Sequence, residues 1–184
     1  MSDERGTSGE PWLVVIDMQH IFGDADSAWA TPGFDDIVPR IRTLVERFDE
    51  RVVFTRFVAP ERPEGAWADY YRQWPFALQS PDAPAYAIVD ELDADDRPVV
   101  SCTTFSKWGG ELDAATNRSR NLVVAGVSTE CCVLTTVLAA ADAGVQVTVV
   151  RDAVAGPSTE LRDASLAVLE TYAPLVDVRA LAEI

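Results

Sequence analysis

Histidine is nearly absent from this chain of 184 residues: His20 is the only one. A metal centre built from several imidazoles is therefore excluded, and Ser-His-Asp chemistry would have a single residue to draw on for its base. Cysteine is scarce as well, limited to Cys102, Cys131 and Cys132. An odd number of cysteines behind a polar N-terminus with no apolar signal segment does not describe a disulfide framework. Positive charge is outnumbered, with 15 Lys and Arg against 30 Asp and Glu and a formal net charge of -15. The basic residues are scattered, which argues against a nucleic-acid partner, since phosphate binding needs clustered Lys and Arg. No apolar run reaches the roughly 18 residues that cross a bilayer. The expectation is a cytoplasmic protein with no membrane partner.

What the chain does contain is apolar residues in short, regularly spaced runs. Hydrophobic residues make up 48% and charged residues 24% of it, the balance of an ordinary globular protein. The length suits one domain, expected over 11–184 after a disordered tail at 1–10. Strands are expected at 12–18 (WLVVIDM), 51–57 (RVVFTRF), 98–102 (PVVSC), 121–127 (NLVVAGV), 145–151 (VQVTVVR) and 175–179 (LVDVR). Helices are expected between them. The segment 34–50 places Ile37, Ile41, Leu44, Val45 and Phe48 on one face, with Pro39 near its start. Further helices are expected at 66–72, 111–117 and 130–143, and at 158–173 with Ser158 as N-cap. Alternating helices and nearly all-apolar strands imply an α/β fold: a three-layer, doubly wound, mostly parallel sheet of about six strands with helices on both faces. The segment 58–96, rich in Pro and aromatics, is too long for a plain connection and points to a functional loop.

In such a sheet ligands bind beyond the carboxyl ends of the strands. The first strand delivers Asp17, Gln19 and His20 there, the second Arg56 and Phe57, the third Ser101 and Cys102, the fourth Val127, Ser128, Thr129, Glu130, Cys131 and Cys132, and the fifth Arg151 and Asp152. With Thr129 as N-cap, Cys132 falls in the first turn of the next helix, where unpaired amides and the helix dipole favour a thiolate. A buried Cys that merely packs its helix on the sheet is the competing account. Asp17 follows an apolar strand directly, a partly desolvated position that suits a general acid or base, with a loop cap as the competing account. Asp152 reads as a structural cap, and His20 as loop packing. The aromatics Phe22, Phe57, Trp67, Tyr71 and Trp108 are candidates for an apolar pocket around a small neutral or aromatic substrate, against core packing for each.

At these residues the sequence resembles the cysteine hydrolase superfamily that includes nicotinamidases, N-carbamoylsarcosine amidohydrolases and isochorismatases. The matching stretches are VVIDMQHIF (14–22), VVFTRFVAP (52–60), VVSCTTFSKWGGEL (99–112), LVVAGVSTECCVLTTVLAA (122–140) and VTVVRDAVAG (147–156). The resemblance implies Cys132 as nucleophile rather than Cys131, and Asp17 as its acid/base partner. It also implies a cis peptide at Val127–Ser128 that aims the Ser128 and Cys132 amides at an oxyanion. A homodimer or homotetramer is the implied assembly, with aromatic-rich segments such as 67–76 at an interface. The implied activity is hydrolysis of a small amide or other C–N bond through a Cys132 thioester.

The chain departs from the family pattern in two places. The position where the family carries a catalytic Lys falls on Cys102, so Cys102 enters the expected catalytic set without supplying a positive charge. An impaired enzyme then becomes an expectation, and Lys107 reaching in from five residues away is the least favoured alternative. Where nicotinamidases carry an Asp-x-His metal motif, this chain has Phe57, Val58 and Ala59, so no zinc and no other cofactor is expected. Two rival readings accompany the enzyme. One is a non-catalytic member that binds a small carbonyl ligand, and the other is a redox-sensitive thiol site formed by Cys102 and Cys132.

Overall fold

In the computed structural model, which describes residues 9–94 and 96–184, six strands form one parallel sheet. The strands are β1 (Trp12–Ile16), β2 (Val52–Phe57), β3 (Val99–Cys102), β4 (Asn121–Gly126), β5 (Gln146–Val154) and β6 (Val176–Arg179), in the order β3-β2-β1-β4-β5-β6. The expected α/β architecture is present, with every strand pair parallel. The expected tail at 1–10 lies, apart from residues 9 and 10, outside the described residues.

The alternation of side chains along β1 assigns the two faces. Leu13 and Val15 enter one core with Phe54 and the apolar stripe of α2 (Phe34–Phe48), formed by Ile37, Ile41, Leu44, Val45 and Phe48. Val14 and Ile16 enter the other core, with Leu112 of α4 (Gly110–Ala115), Val137 and Ala140 of α5 (Leu134–Asp142), and Leu166 and Leu169 of α6 (Thr159–Glu170). Each large aliphatic side chain so buried contributes about 1.5–3 kcal/mol, which is why the strands are apolar on both faces. A four-residue helix, α1 (His20–Gly23), follows β1, and α3 (Ala66–Gln73) lies between β2 and β3. Among the described residues no helix is long and apolar enough to cross a membrane.

Pro39 sits near the start of α2 as expected, in its second turn, and the helix continues through it. Other local expectations change. β5 runs on past Arg151 to Val154, which pairs with Gly126 after a shift in register. The helix expected from about 130 starts as a π-helical turn, Thr129–Val133, before α5. Thr129 is not its N-cap: its hydroxyl and its amide both donate to the Ala155 carbonyl, at 2.9 Å each. Ser158 does cap α6, accepting from the Leu161 amide at 3.2 Å.

The segment between β2 and β3 is held to the exit of β1 and is not a free loop. The buried side-chain amide of Gln19 donates to the carbonyls of Phe57 (3.0 Å) and Tyr86 (2.9 Å), and its oxygen accepts from the Phe57 amide at 2.8 Å. Tyr86 is fully buried, and its hydroxyl accepts from the Ala59 amide at 3.0 Å and donates to the Ala77 carbonyl. The Val89 amide donates to Met18 O at 3.0 Å. These bonds fix α3 and the turns after it above the ends of β1 and β2.

Candidate active site

The chain reverses direction across the sheet between β1 and β4, which places a topological switch point at their carboxyl ends. The backbones meet there very closely. Gly126 has φ 120°, and a Cβ on it would lie 2.1 Å from the Ile16 carbonyl oxygen, so only glycine fits. That contact sets Asp17 beside the turn Val127–Ser128, whose peptide bond is cis as the resemblance implied. Asp17 itself takes φ 50°, a left-handed conformation that Asp tolerates better than most residues.

Asp17 is fully buried. Its Oδ1 accepts from Thr55 Oγ1 at 2.6 Å, and its amide donates back to the same hydroxyl at 3.2 Å. Its Oδ2 lies 3.0 Å from Lys107 Nζ, and both side chains of this ion pair are completely enclosed. Lys107 is held on three further sides. Its ammonium donates to the Thr104 carbonyl at 2.8 Å and lies 4.9 Å from the centre of the Phe57 ring, while its amide donates to Thr136 Oγ1 at 2.9 Å. Burial pulls the Lys107 pKa down, but the nearby Asp17 and Cys132 outweigh it and the net direction is up. The ammonium is therefore kept charged.

Cys132, in the π-helical turn, is buried and close enough to Asp17 to feel its charge. Its pKa is pushed well above that of an ordinary thiol, first by burial and then by the negative charge of Asp17, with Lys107 opposing both. The resting group is a neutral thiol beside Asp17. The helix-turn argument for a ready thiolate is overturned, because desolvation and an adjacent carboxylate outweigh the dipole. Among the described residues the backbone amide of Ser128 finds no acceptor, which leaves it as a donor for a ligand oxygen.

Cys102 does not join this group in the way the family register suggests. β3 is the sheet edge, and β2 stands between it and β1. Two strand spacings, roughly 9–10 Å, separate its backbone from Asp17, more than a short thiol side chain spans. The Cys102 thiol is half-buried and does not line the cavity; burial raises its pKa, Lys107 lowers it, and Asp17 and Glu111 raise it. Lys107 reaches Asp17 from the following loop, so the positive charge expected to be missing is in place. A plain count carries the signal for it: Lys107 is the only lysine in the chain. A lone lysine in a strand-exit loop, in a chain whose other 14 basic residues are arginines, is a stronger hint than its register. All three cysteines are free thiols.

Above Cys132 opens a cavity of about 270 Å³, small for a ligand site. Phe22 and Phe57 line it as expected, together with Ser128, Cys131 and Cys132. Trp67, Tyr71 and Trp108 do not. Trp67 backs the wall, its ring 5.0 Å from that of Phe105. Tyr71, one residue and 100° around α3 from Tyr70, turns into the core and is almost fully buried. Trp108, next after the inward-pointing Lys107, packs on the core of the opposite sheet face. Trp29, Tyr70, Trp74 and Phe105 provide the rest of the aromatic wall, and Glu130 is the one charged residue of the lining. Trp29 joins the wall residues, its ring centre 5.9 Å from those of Phe22, Phe57 and Tyr70. The Tyr70 hydroxyl has its pKa raised to about 12, first by burial and then by Cys131 and Cys132.

His20 stays outside the cavity, its Nδ1 3.0 Å from Asp24. Asp152 is structural: its Oδ1 accepts from the Leu181 amide at 2.8 Å and its carbonyl from Arg40 at 2.7 Å. Phe57, Val58 and Ala59 are buried apolar residues at the exit of β2 and offer a metal no donor side chain. Among the described residues no three His, Cys, Asp or Glu side chains cluster as a metal would need.

The Isochorismatase domain model matches residues 11–180. No curated protein sequence matches. Solved structures with a similar fold include a cysteine hydrolase from Pseudomonas syringae pv. phaseolicola 1448A, 22% identical, with a TM-score of 0.81 over 94% of this chain and 89% of that one. An N-carbamoylsarcosine amidase from Thermoplasma acidophilum is 22% identical, with a TM-score of 0.74 over 96% and 99%. The pyrazinamidase of Pyrococcus horikoshii in complex with zinc is 25% identical, with a TM-score of 0.75 over 94% and 99%.

Proposed function

This chain belongs to the isochorismatase family of hydrolases, and from that premise we propose that it cleaves a small amide or related C–N bond through a thioester on Cys132, without a metal. The observation that carries the reading is the fully buried Asp17–Lys107 pair beside Cys132, which lines the cavity. An ion pair with no exposure is a costly thing to bury and contributes little to stability over an apolar substitute. Its position under a nucleophile gives it a chemical use.

In the proposed reaction the thiol proton passes to Asp17 as sulfur attacks the carbonyl carbon. The carbonyl π pair moves to oxygen, and the amides of Ser128 and Cys132 donate to it. Collapse of the tetrahedral adduct expels the amine, which takes its proton from Asp17. Asp17 then deprotonates a water that attacks the thioester, and sulfur leaves with the C–S bond pair and takes the proton back from Asp17, which restores the starting state. Lys107 stays protonated throughout and offsets whichever of Asp17 and Cys132 is negative.

The test is ammonia release from a panel of small primary amides, carbamoyl compounds and ureides. We expect turnover that falls by at least roughly 10³ in Cys132→Ala. An unchanged rate in that variant would sink the mechanism. The rival reading of an attenuated, ligand-binding member rests on a missing lysine, and Lys107 takes away that ground.

A further inference from the structure

We propose that the cavity selects a small cationic substrate, with an ammonium or quaternary nitrogen close to the scissile amide, seated between the aromatic wall and the Glu130 carboxylate. The amide in this statement rests on the hydrolase reading above; the cation preference does not.

Charge within the site is unbalanced in one direction. Asp17 and Lys107 neutralise one another at 3.0 Å below the floor. Of the lining residues only Glu130 carries a charge, and among the described residues it has no cationic partner. Its Oε2 is buried without a hydrogen bond, pressed so closely on Gly156 that a Cβ there would lie 2.7 Å away. Glu130 is partly exposed and lacks a counter-charge among the described residues, which a ligand cation would supply.

The wall suits the same ligand. Six aromatic rings line the cavity, and they do not form a parallel slot. Phe57 and Trp74 meet the Trp29 ring at 68° and 63°, so the rings make a corner of faces. A flat aromatic substrate stacks best in a slot, whereas a compact tetrahedral cation touches several faces of a corner and is attracted by each ring quadrupole. The volume of about 270 Å³ leaves room for a compact group. The net charge of -15 raises the local concentration of cations and lowers that of anions. This proposal differs from the small neutral or aromatic substrate expected from the sequence, and it rests on Glu130 lining the wall.

The test compares two amides of the same shape, betaine amide (a trimethylammonium acetamide) and 3,3-dimethylbutanamide, in which carbon replaces the charged nitrogen. Their binding is measured by calorimetry on full-length Cys132→Ala, so that no turnover is needed. The expected result is betaine amide bound about tenfold or more tightly than its isostere, the ratio collapsing towards one in Glu130→Gln. Tetramethylammonium chloride, titrated into the unsubstituted protein, should quench or shift the fluorescence of Trp29 and Trp74 where tert-butanol at equal concentration does not. This second readout needs no variant to fold. Equal or weaker binding of the cation, failure of both amides to bind, or a ratio that survives Glu130→Gln overturns the proposal. Cation-selective binding without ammonia release from betaine amide by the unsubstituted chain would leave the cation site standing and count against the hydrolase reading.

Discussion

At the scale of single residues, the proposed chemistry depends most on Lys107. Replacing it with Met leaves the Asp17 carboxylate buried beside one hydroxyl and no counter-charge. Breaking one half of a buried pair costs about 3–5 kcal/mol, so Lys107→Met should show a markedly lower denaturation midpoint. Its turnover should fall by a factor on the order of 10²–10³, since an electrostatic support of the reacting groups is lost. A sharper check moves the lysine. If the charge matters and its point of origin does not, Cys102→Lys in a Lys107→Ala background should recover at least roughly tenfold over Lys107→Ala alone, because a lysine stem spans the strand that a thiol cannot. Cys102→Lys alone would crowd a second ammonium onto one carboxylate and should lower activity. Equal activity in all three variants would remove charge compensation from the mechanism. Cys132 adds a reagent test. With its pKa pushed up by burial and by Asp17, iodoacetamide should modify it slowly at neutral pH and faster in Asp17→Asn, where the neighbouring negative charge is gone.

At the scale of elements, what was legible in the sequence followed from pattern, and what was not followed from three-dimensional reach. Strands β1, β2 and β4 stand where runs such as WLVVI and NLVVAG dictate, because strands covered on both faces are apolar throughout. The exits of β1 and β4 could be named as the site from strand-helix alternation alone. The direction of Lys107 could not, since it depends on the loop after β3 folding back over β2. Nor could the division of α3, where Tyr70 faces the cavity and Tyr71 the core, for a one-residue rotation is below what the periodicity of an eight-residue helix resolves. The π-helical turn and the true role of Thr129 escaped for a related reason: its bond to Ala155 crosses between elements 26 residues apart. Gly126 links these elements, and its substitution is predictable. Gly126→Ala would place a Cβ 2.1 Å from the Ile16 carbonyl and require φ 120° of a residue with a side chain. The β1–β4 junction would have to part, and we expect insoluble protein or a loss above about 3 kcal/mol. A soluble variant of unchanged thermal midpoint would contradict the close approach described for this junction.

At the scale of the whole molecule, the buried titratable groups share one sign of response to alkali. Cys131 has its pKa raised from 9.0 to about 11 and Tyr70 from 10.0 to about 12, in both cases first by burial. Tyr71, Tyr86, Cys102 and Cys132 move in the same direction, each pushed up first by burial. Each is an acid whose native state keeps its proton at pH values where the unfolded chain has lost it. Lys107, also raised, joins them from the other charge type: above the ordinary lysine value of 10.5 the unfolded chain releases a proton that the native pair with Asp17 retains. In every case the native state binds more protons than the unfolded state, so the slope of stability with pH is negative. The effect begins near pH 9, where the unfolded thiols start to ionise, and deepens as the unfolded tyrosines and the lysine follow. Thermal midpoints measured from pH 7 to 10.5 at constant ionic strength should therefore hold up to about pH 8.5 and fall by several degrees beyond it. Cys131→Ala with Tyr86→Phe, compared with the parent for slope and not for absolute midpoint, should flatten the fall by removing two of the groups that produce it. A midpoint that rises with pH across this range, or a slope indifferent to that pair, would mean that the thiols and phenols are as free to ionise in the folded protein as in the unfolded chain.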